Sequence, residues 1–248
     1  MKKHLLVLFS FILLVNFVFS QKGKAWFEAG LKGGGGLSLI VNKNVWDDKK
    51  ACAPSFSAAY SYGGRLAVNL SENHQVAFES MWGMRSQQYS FLIDSVQYEK
   101  SFKLSINDLA LFYRFNGNNG GYVELGGQMT MISKATEKNS LGEFDIKNNF
   151  QNYTSGCLGF GGNIVQSGSF TWTAGVRISY SFTDAISNDG GANSDFTYPL
   201  NDPIVRKGYS TYKLTKPIAI QVLTEFNFDL GYFAKSNCKR GRVSFMTF

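Results

Sequence analysis

The segment Phe170–Phe182, FTWTAGVRISYSF, decides how the rest of the chain is read. Phe170, Trp172, Ala174, Val176, Ile178, Tyr180 and Phe182 fall on one side of an extended chain, and Thr171, Thr173, Gly175, Arg177, Ser179 and Ser181 on the other. Aromatic residues stand at both ends of the apolar side and small aliphatics in its middle, the order in which a strand crossing a bilayer meets two interfaces and a hydrocarbon centre. At roughly 3.3 Å per residue and a tilt of about 40°, a strand of this length spans a hydrocarbon layer about 25–30 Å thick.

Upstream, Lys2 and Lys3 precede the apolar run Leu5–Phe19, with Val18 and Ser20 as small residues before a cut ahead of Gln21. This predicts a secretory signal peptide over residues 1–20 and a mature chain over 21–248. Loss of Lys2 and Lys3 lowers the formal charge from +7 to +5. No later run is long and apolar enough for a transmembrane helix. Twenty-six glycines, four prolines and 15% aromatic residues favour β-structure. The basic residues are scattered, which argues against nucleic acid as a partner. Cys52, Cys157 and Cys238 cannot all pair within one molecule, so disulfides do not organise the fold.

The same period-two reading predicts strands near 25–40, 55–69, 75–90, 102–115, 122–133, 153–164, 170–183 and 216–232, followed by a basic tail over 233–248. Connections alternate between long (41–54, 91–101, 134–152, 184–215) and short (70–74, 116–121, 165–169), and the short ones carry turn residues such as Asn116-Gly117-Asn118-Asn119. The fold class expected is all-β, an eight-stranded antiparallel transmembrane barrel with short periplasmic turns and long outer loops. A change of apolar parity in the fourth strand, from Leu104 and Ile106 to Leu109 and Leu111, suggests a bulge at Asn107 and Asp108. The run Gly33–Gly36 suggests an interruption of the first strand.

Setting Val68 against Val76 places Arg65 opposite Glu79, and setting Phe115 against Val123 places Arg114 opposite Glu124. Arg177 and Glu225 are expected at similar depth on neighbouring strands, Cys157 opposite Arg177, and Lys32 near Glu225 if the sheet closes. The inward faces then carry Glu28, Glu79, Glu124, Glu225 and Asp229 against Lys32, Arg65, Arg85, Arg114 and Arg177. Desolvated charges persist when paired, so a balanced set suits a filled lumen, and Lys32, Arg65, Glu79, Arg114, Glu124, Arg177 and Glu225 are expected to form a structural ion-pair network. A soluble, secreted, lipocalin-like barrel would share the alternation. Its water-facing side would be about 25–35% charged, whereas this polar face is mostly Gly, Ser, Thr, Ala, Asn and Gln.

Little here points to catalysis. His74, the one histidine after signal removal, falls in a short turn, and each inward carboxylate has a cationic candidate nearby. The glycine runs lack a Gly-Lys-Ser/Thr sequence, and Asp184, Asn188, Asp189, Asn193 and Asp195 lack the spacing of an EF-hand loop. The reading is therefore a non-enzymatic protein without catalytic residue, metal or cofactor. Phe196, Tyr198, Tyr209 and Tyr212 make the last long loop more aromatic than solvation requires and mark a candidate partner-binding loop.

The signal peptide, eight alternating strands, unequal loops and terminal Phe248 together resemble small bacterial outer-membrane β-barrel proteins, in particular the PorT-like group. The resemblance is architectural and covers nearly all of the mature chain, except that about sixteen residues follow Tyr232 where such barrels end on their last strand. It implies integral placement in a bacterial outer membrane, contact with its lipids, and association with an envelope or secretion assembly. Two expectations of function follow: a scaffold or partner-binding subunit, and, as the alternative, a narrow channel or transporter for a small or apolar solute.

Overall fold

The structure is a computed structural model and describes residues 25–47, 52–93, 96–139, 141–191, 213–235 and 243–246. The signal peptide expected over residues 1–20, the aromatic part of the last long loop and most of the basic tail lie outside these residues. Eight long strands form the wall: β1 (Trp26–Asn42), β3 (Ser57–Asn69), β4 (His74–Ile93), β5 (Val96–Asn116), β6 (Gly121–Asn139), β8 (Tyr153–Ser167), β9 (Phe170–Ser181) and β10 (Thr215–Lys235). Each pairs antiparallel with the next, and β10 pairs with β1 from Trp26↔Tyr232 to Asn42↔Thr215, which closes the ring. Short strands extend it: β2 (Cys52–Ser55) beside β4, β7 (Gly142–Asp145) beside β6, and β11 (Val243–Met246) beside the last residues of β10. Among the described residues one α-helix, α1 (Lys43–Asp47), sits between β1 and β2.

Hairpin geometry explains most of the registers. Four residues separate β3 from β4 and four separate β5 from β6, and the resulting pairs include Val68↔Val76, Arg65↔Glu79, Phe115↔Val123 and Arg114↔Glu124. Gly120 and Gly168 take left-handed backbone angles in two of the short turns.

Three sequence expectations change. The connection expected over 91–101 shrinks to residues 94–95, because β4 and β5 stay paired up to Ile93↔Val96. The run Gly33–Gly36 leaves β1 intact, with partners on both edges throughout. At Gly34 a Cβ would come within 2.0 Å of the Val222 carbonyl oxygen, so the glycine permits β1 and β10 to approach where the sheet curves shut.

The bulge expected at Asn107 and Asp108 is absent. Even-numbered residues of β5 face inward along its whole described length, from Lys100 through Phe102, Leu104, Ile106, Asp108, Ala110 and Phe112 to Arg114. The extra residue in this pair is Ser133 of β6, opposite the step from Ser105 to Ile106. What reverses near residue 108 is the surroundings. Toward the long loops, Glu99, Lys103, Lys134 and Lys138 face outward while Phe102, Leu104, Ile106, Ile132 and Ala135 face inward. Toward the short turns, Leu109, Leu111, Tyr113, Val123 and Leu125 face outward while Asp108, Arg114 and Glu124 face inward. The first section is built like a water-soluble barrel and the second is its inverse.

Within the inverted section, exposed apolar side chains surround the wall: Leu31 on β1, Tyr62 and Leu66 on β3, Phe78 on β4, Leu158 on β8 and Val222 on β10, the last 62% exposed. In water such a continuous apolar belt would be unstable, whereas in hydrocarbon it is the required surface. Val222→Arg places a charge in the middle of this belt. It is expected to destabilise the protein folded in phospholipid vesicles by about 2–4 kcal/mol in urea titrations; a change near zero would mean that Val222 faces water.

Candidate functional site

The inverted section encloses a layer of charge. Lys32 lies directly opposite Glu225 across the closing seam, and its Nζ is 2.5 Å from Glu225 Oε1 and 2.8 Å from Glu79 Oε1. Arg177 donates from Nη1 to Glu79 Oε2 at 2.7 Å and from Nη2 to Glu124 Oε1 at 2.6 Å. Arg114 donates from Nη2 both to Glu124 Oε2 at 2.7 Å and to Glu225 Oε1 at 2.6 Å, and its Nη1 reaches Glu225 Oε2 at 2.9 Å. Arg65 reaches Glu28 at 2.5 Å, donates from Nη2 to Gln75 Oε1, and lies 3.6 Å from Glu79. Glu79 and Glu225 are both 0% exposed.

Strand order shows what these contacts do. In the ring β1-β3-β4-β5-β6-β8-β9-β10, β4 lies four places from β9 and β5 four places from β10. The Glu79–Arg177 and Arg114–Glu225 bonds therefore each join strands on opposite walls. Two diameters of the lumen are bridged by side chains in direct contact, leaving no open axis at that level.

Aromatic rings and glycines make the layer fit. The Arg177 guanidinium carbon lies 3.9 Å from the Phe112 ring centroid and that of Arg114 3.9 Å from Tyr122, so both cations also rest on π-faces. Gly159 of β8, opposite Arg177, leaves room for Glu124, whose Oε1 would be 2.6 Å from a Cβ at that position.

Two expected neighbours do not meet. Arg177 pairs across β9 and β10 with Gln221, and Glu225 with Thr173, so these two charges are staggered by four residues and Arg177 crosses the lumen instead. Cys157 lies opposite Ser179, and its thiol is directed to Gln128 Oε1 at 3.5 Å. Sequence reasoning also missed the inward partners of Arg85, which donates to Asp108 Oδ2 at 3.2 Å and to the Tyr153 hydroxyl at 2.6 Å, and the Lys100–Glu137 pair at 2.9 Å. The parity of β5, carried upward from Arg114, was the signal that placed Asp108 and Lys100 inward.

On the long-loop side the charge layer is roofed by an apolar cluster that includes Ile40, Tyr89, Phe102, Leu104, Phe150 and Ile186. Backbone bonds tie the two outer connections across this roof, with Gln151 N–H donating to Ala185 O at 2.9 Å and Ser187 N–H to Asn149 O at 3.0 Å. Asp184 Oδ1 accepts from the backbone N–H groups of Ile186 and Thr215, which makes it a loop fastener. On the short-turn side lies a polar cavity of about 220 Å³ whose lining includes Glu28, Asn69, Gln75, Asn116, Asn227 and Asp229. Phe196, Tyr198, Tyr209 and Tyr212 lie outside the described residues.

Oxygen atoms of Glu79, Glu124 and Glu225 lie within 4.8 Å of one another, close enough to share a metal ion. Lys32 Nζ already stands among them, and each carboxylate also accepts from arginine. This donor set suits internal neutralisation better than a metal. His74 bonds the Tyr113 hydroxyl and stacks edge-on against Phe115 at the short-turn rim, away from every lumen carboxylate in the network.

Buried charge within and exposed hydrocarbon without make the chain a membrane-spanning protein of the outer-membrane β-barrel type, since closed strands satisfy every backbone group in lipid. The soluble lipocalin-like alternative requires the opposite distribution in this section. No protein-family model matches the sequence, and no curated protein does. Similar solved structures include the outer membrane protein OprG from Pseudomonas aeruginosa, with 11% identity over 83% of this chain and 96% of that one and a TM-score of 0.41. Neisserial surface protein A is 10% identical over 82% of this chain and 98% of that one, with a TM-score of 0.39. The attachment invasion locus protein of Yersinia pestis, solved with a heparin analogue, is 11% identical over 82% and 99%, with a TM-score of 0.37.

Glu79→Gln keeps the side-chain shape but removes one negative charge from between Lys32 and Arg177. A loss of about 3–5 kcal/mol in vesicle-folded protein is expected by urea titration. A loss below about 1 kcal/mol would show that the charge is solvated.

Proposed function

We propose that the protein is a non-enzymatic scaffold or partner-binding subunit of a bacterial outer membrane, in which the barrel anchors and the long-loop end presents the binding surface. The observation that carries this reading is the pair of ion-paired diameters, Glu79–Arg177 and Arg114–Glu225, with the apolar roof above them. A solute following the axis would have to separate buried, multiply bonded charges, each separation costing several kcal/mol. The narrow-channel alternative needs those pairs to open.

The network itself is assigned a structural role: Lys32, Arg65, Arg114 and Arg177 neutralise Glu28, Glu79, Glu124 and Glu225, and each carboxylate is committed to cationic donors. Function then falls to the outer connections, where Phe196, Tyr198, Tyr209 and Tyr212 supply aromatic anchors suited to a protein partner. The resemblance to PorT-like barrels points to an envelope or secretion assembly as the source of that partner.

Reconstitution in planar bilayers tests the closed lumen. Negligible steady conductance is expected from the purified protein, and a rise in brief openings from a Glu79→Gln, Glu225→Gln variant that still shows the heat-modifiable gel shift of a folded barrel. Large, stable currents from the unmodified protein would contradict the proposal.

A further inference from the structure

Toward the long loops, where the outer face of β5 and β6 is charged, the sheet ends in an open edge. Pairing of β6 with β8 stops at Thr130↔Tyr153, and from Thr136↔Asp145 onward β7 takes the place of β8. Among the described residues β7 pairs with β6 alone, so its other side presents backbone N–H and C=O groups without a neighbouring strand. All of its residues, Gly142–Asp145, are exposed. The short strand β2 at the other side of this section differs, because it contains Pro54, which has no N–H, and packs against α1.

The edge is held in place from behind and carries side chains without partners of their own. Ile146, the residue after β7, is buried in the apolar roof, and its N–H donates to Ala135 O at 3.0 Å. Alternation places Glu143 and Asp145 on the face that carries Lys138 and Thr136, and Phe144 on the face that carries Glu137. Among the described residues Glu143 forms no ion pair and no side-chain hydrogen bond, although Lys138 stands opposite it. Asp145 Oδ1 accepts the backbone N–H of Lys147 at 2.9 Å, which fixes the carboxylate and leaves Oδ2 without a donor. Phe144 is 46% exposed.

We propose that β7 takes up an extended segment of a protein partner as an additional strand, and that this segment alternates basic and apolar residues. The proposal rests on the partner-binding role assigned above and gives that partner a chemistry. The open backbone groups of β7 would hold the added strand, basic side chains at alternate positions would meet Glu143 and Asp145, and an apolar side chain between them would cover Phe144. A second copy of this chain fits poorly. Antiparallel pairing of two β7 edges centred on Phe144 sets Glu143 against Asp145 of the other copy twice, and like charges in that position repel. The two carboxylates thus discourage self-pairing and select a basic strand.

Fluorescence anisotropy with labelled, end-capped pentapeptides tests the edge in the full mature protein folded in zwitterionic detergent. The peptide Lys-Val-Lys-Val-Lys is expected to bind about tenfold or more tightly than Glu-Val-Glu-Val-Glu, and more tightly than Lys-Lys-Lys-Val-Val, which has the same charge without the alternation. N-methylation of its alternate backbone amides should abolish binding, since a strand so blocked cannot donate to β7. The variant Glu143→Lys, Asp145→Lys, checked for the heat-modifiable gel shift, should reverse the preference in favour of the glutamate peptide, whereas Glu99→Lys on the outer face of β5 should leave it unchanged. No binding by the lysine peptide, equal binding after N-methylation, or a preference that survives the charge reversal would each overturn the proposal. Conductance plays no part in this readout, so a closed barrel whose edge binds nothing would remove the added strand and leave the scaffold reading in place.

Discussion

The contact between Glu79 and Arg177 spans the barrel, and the rest of the structure depends on charges such as these being satisfied inside. A narrow eight-stranded wall leaves the lumen too little room for bulk water, so each inward charge needs a protein partner on another strand. The partners then fix the diameter, and the wall is drawn onto them. Small residues follow from the same constraint: Gly34 lets β1 approach β10, and Gly159 makes space for Glu124. With the polar groups consumed inside, the outer surface of this section is left to Leu, Val, Phe, Tyr and Trp, which lipid accepts.

Viewed along its axis, the molecule has three kinds of interior. A polar cavity lies at the short turns, an ion-paired layer at membrane depth, and an apolar roof beneath the outer connections. The roof sits where the outer face of β5 and β6 turns charged, at Lys103, Lys134 and Lys138, so the barrel continues past the membrane as a folded extension. Pairing out to Ile93↔Val96 and the bonds between residues 149–151 and 185–187 make that extension a firm platform. A platform of this kind fits presentation of a binding surface better than passage of a solute.

How much of this could be read from the chain depended on what set each register. Arg65 opposite Glu79 and Arg114 opposite Glu124 were legible because a short turn beside each pair fixes the alignment. The stagger of Arg177 and Glu225 is not legible in the same way, because the long connection between β9 and β10 carries no such information and closure of the whole ring sets it. The parity change at Asn107 and Asp108 implies a bulge only if apolar residues face lipid along the entire strand. The wall leaves the membrane there, and the rule inverts.

The coupling between Glu79 and Arg177 tests the account most directly. A double-mutant cycle, with Glu79→Gln and Arg177→Gln singly and together in vesicle-folded protein, should give a coupling of about 2 kcal/mol or more, because the two side chains meet across the lumen at membrane depth. A coupling indistinguishable from zero, with both single variants stable, would mean that water fills the lumen and that the charges do not hold the opposite walls together.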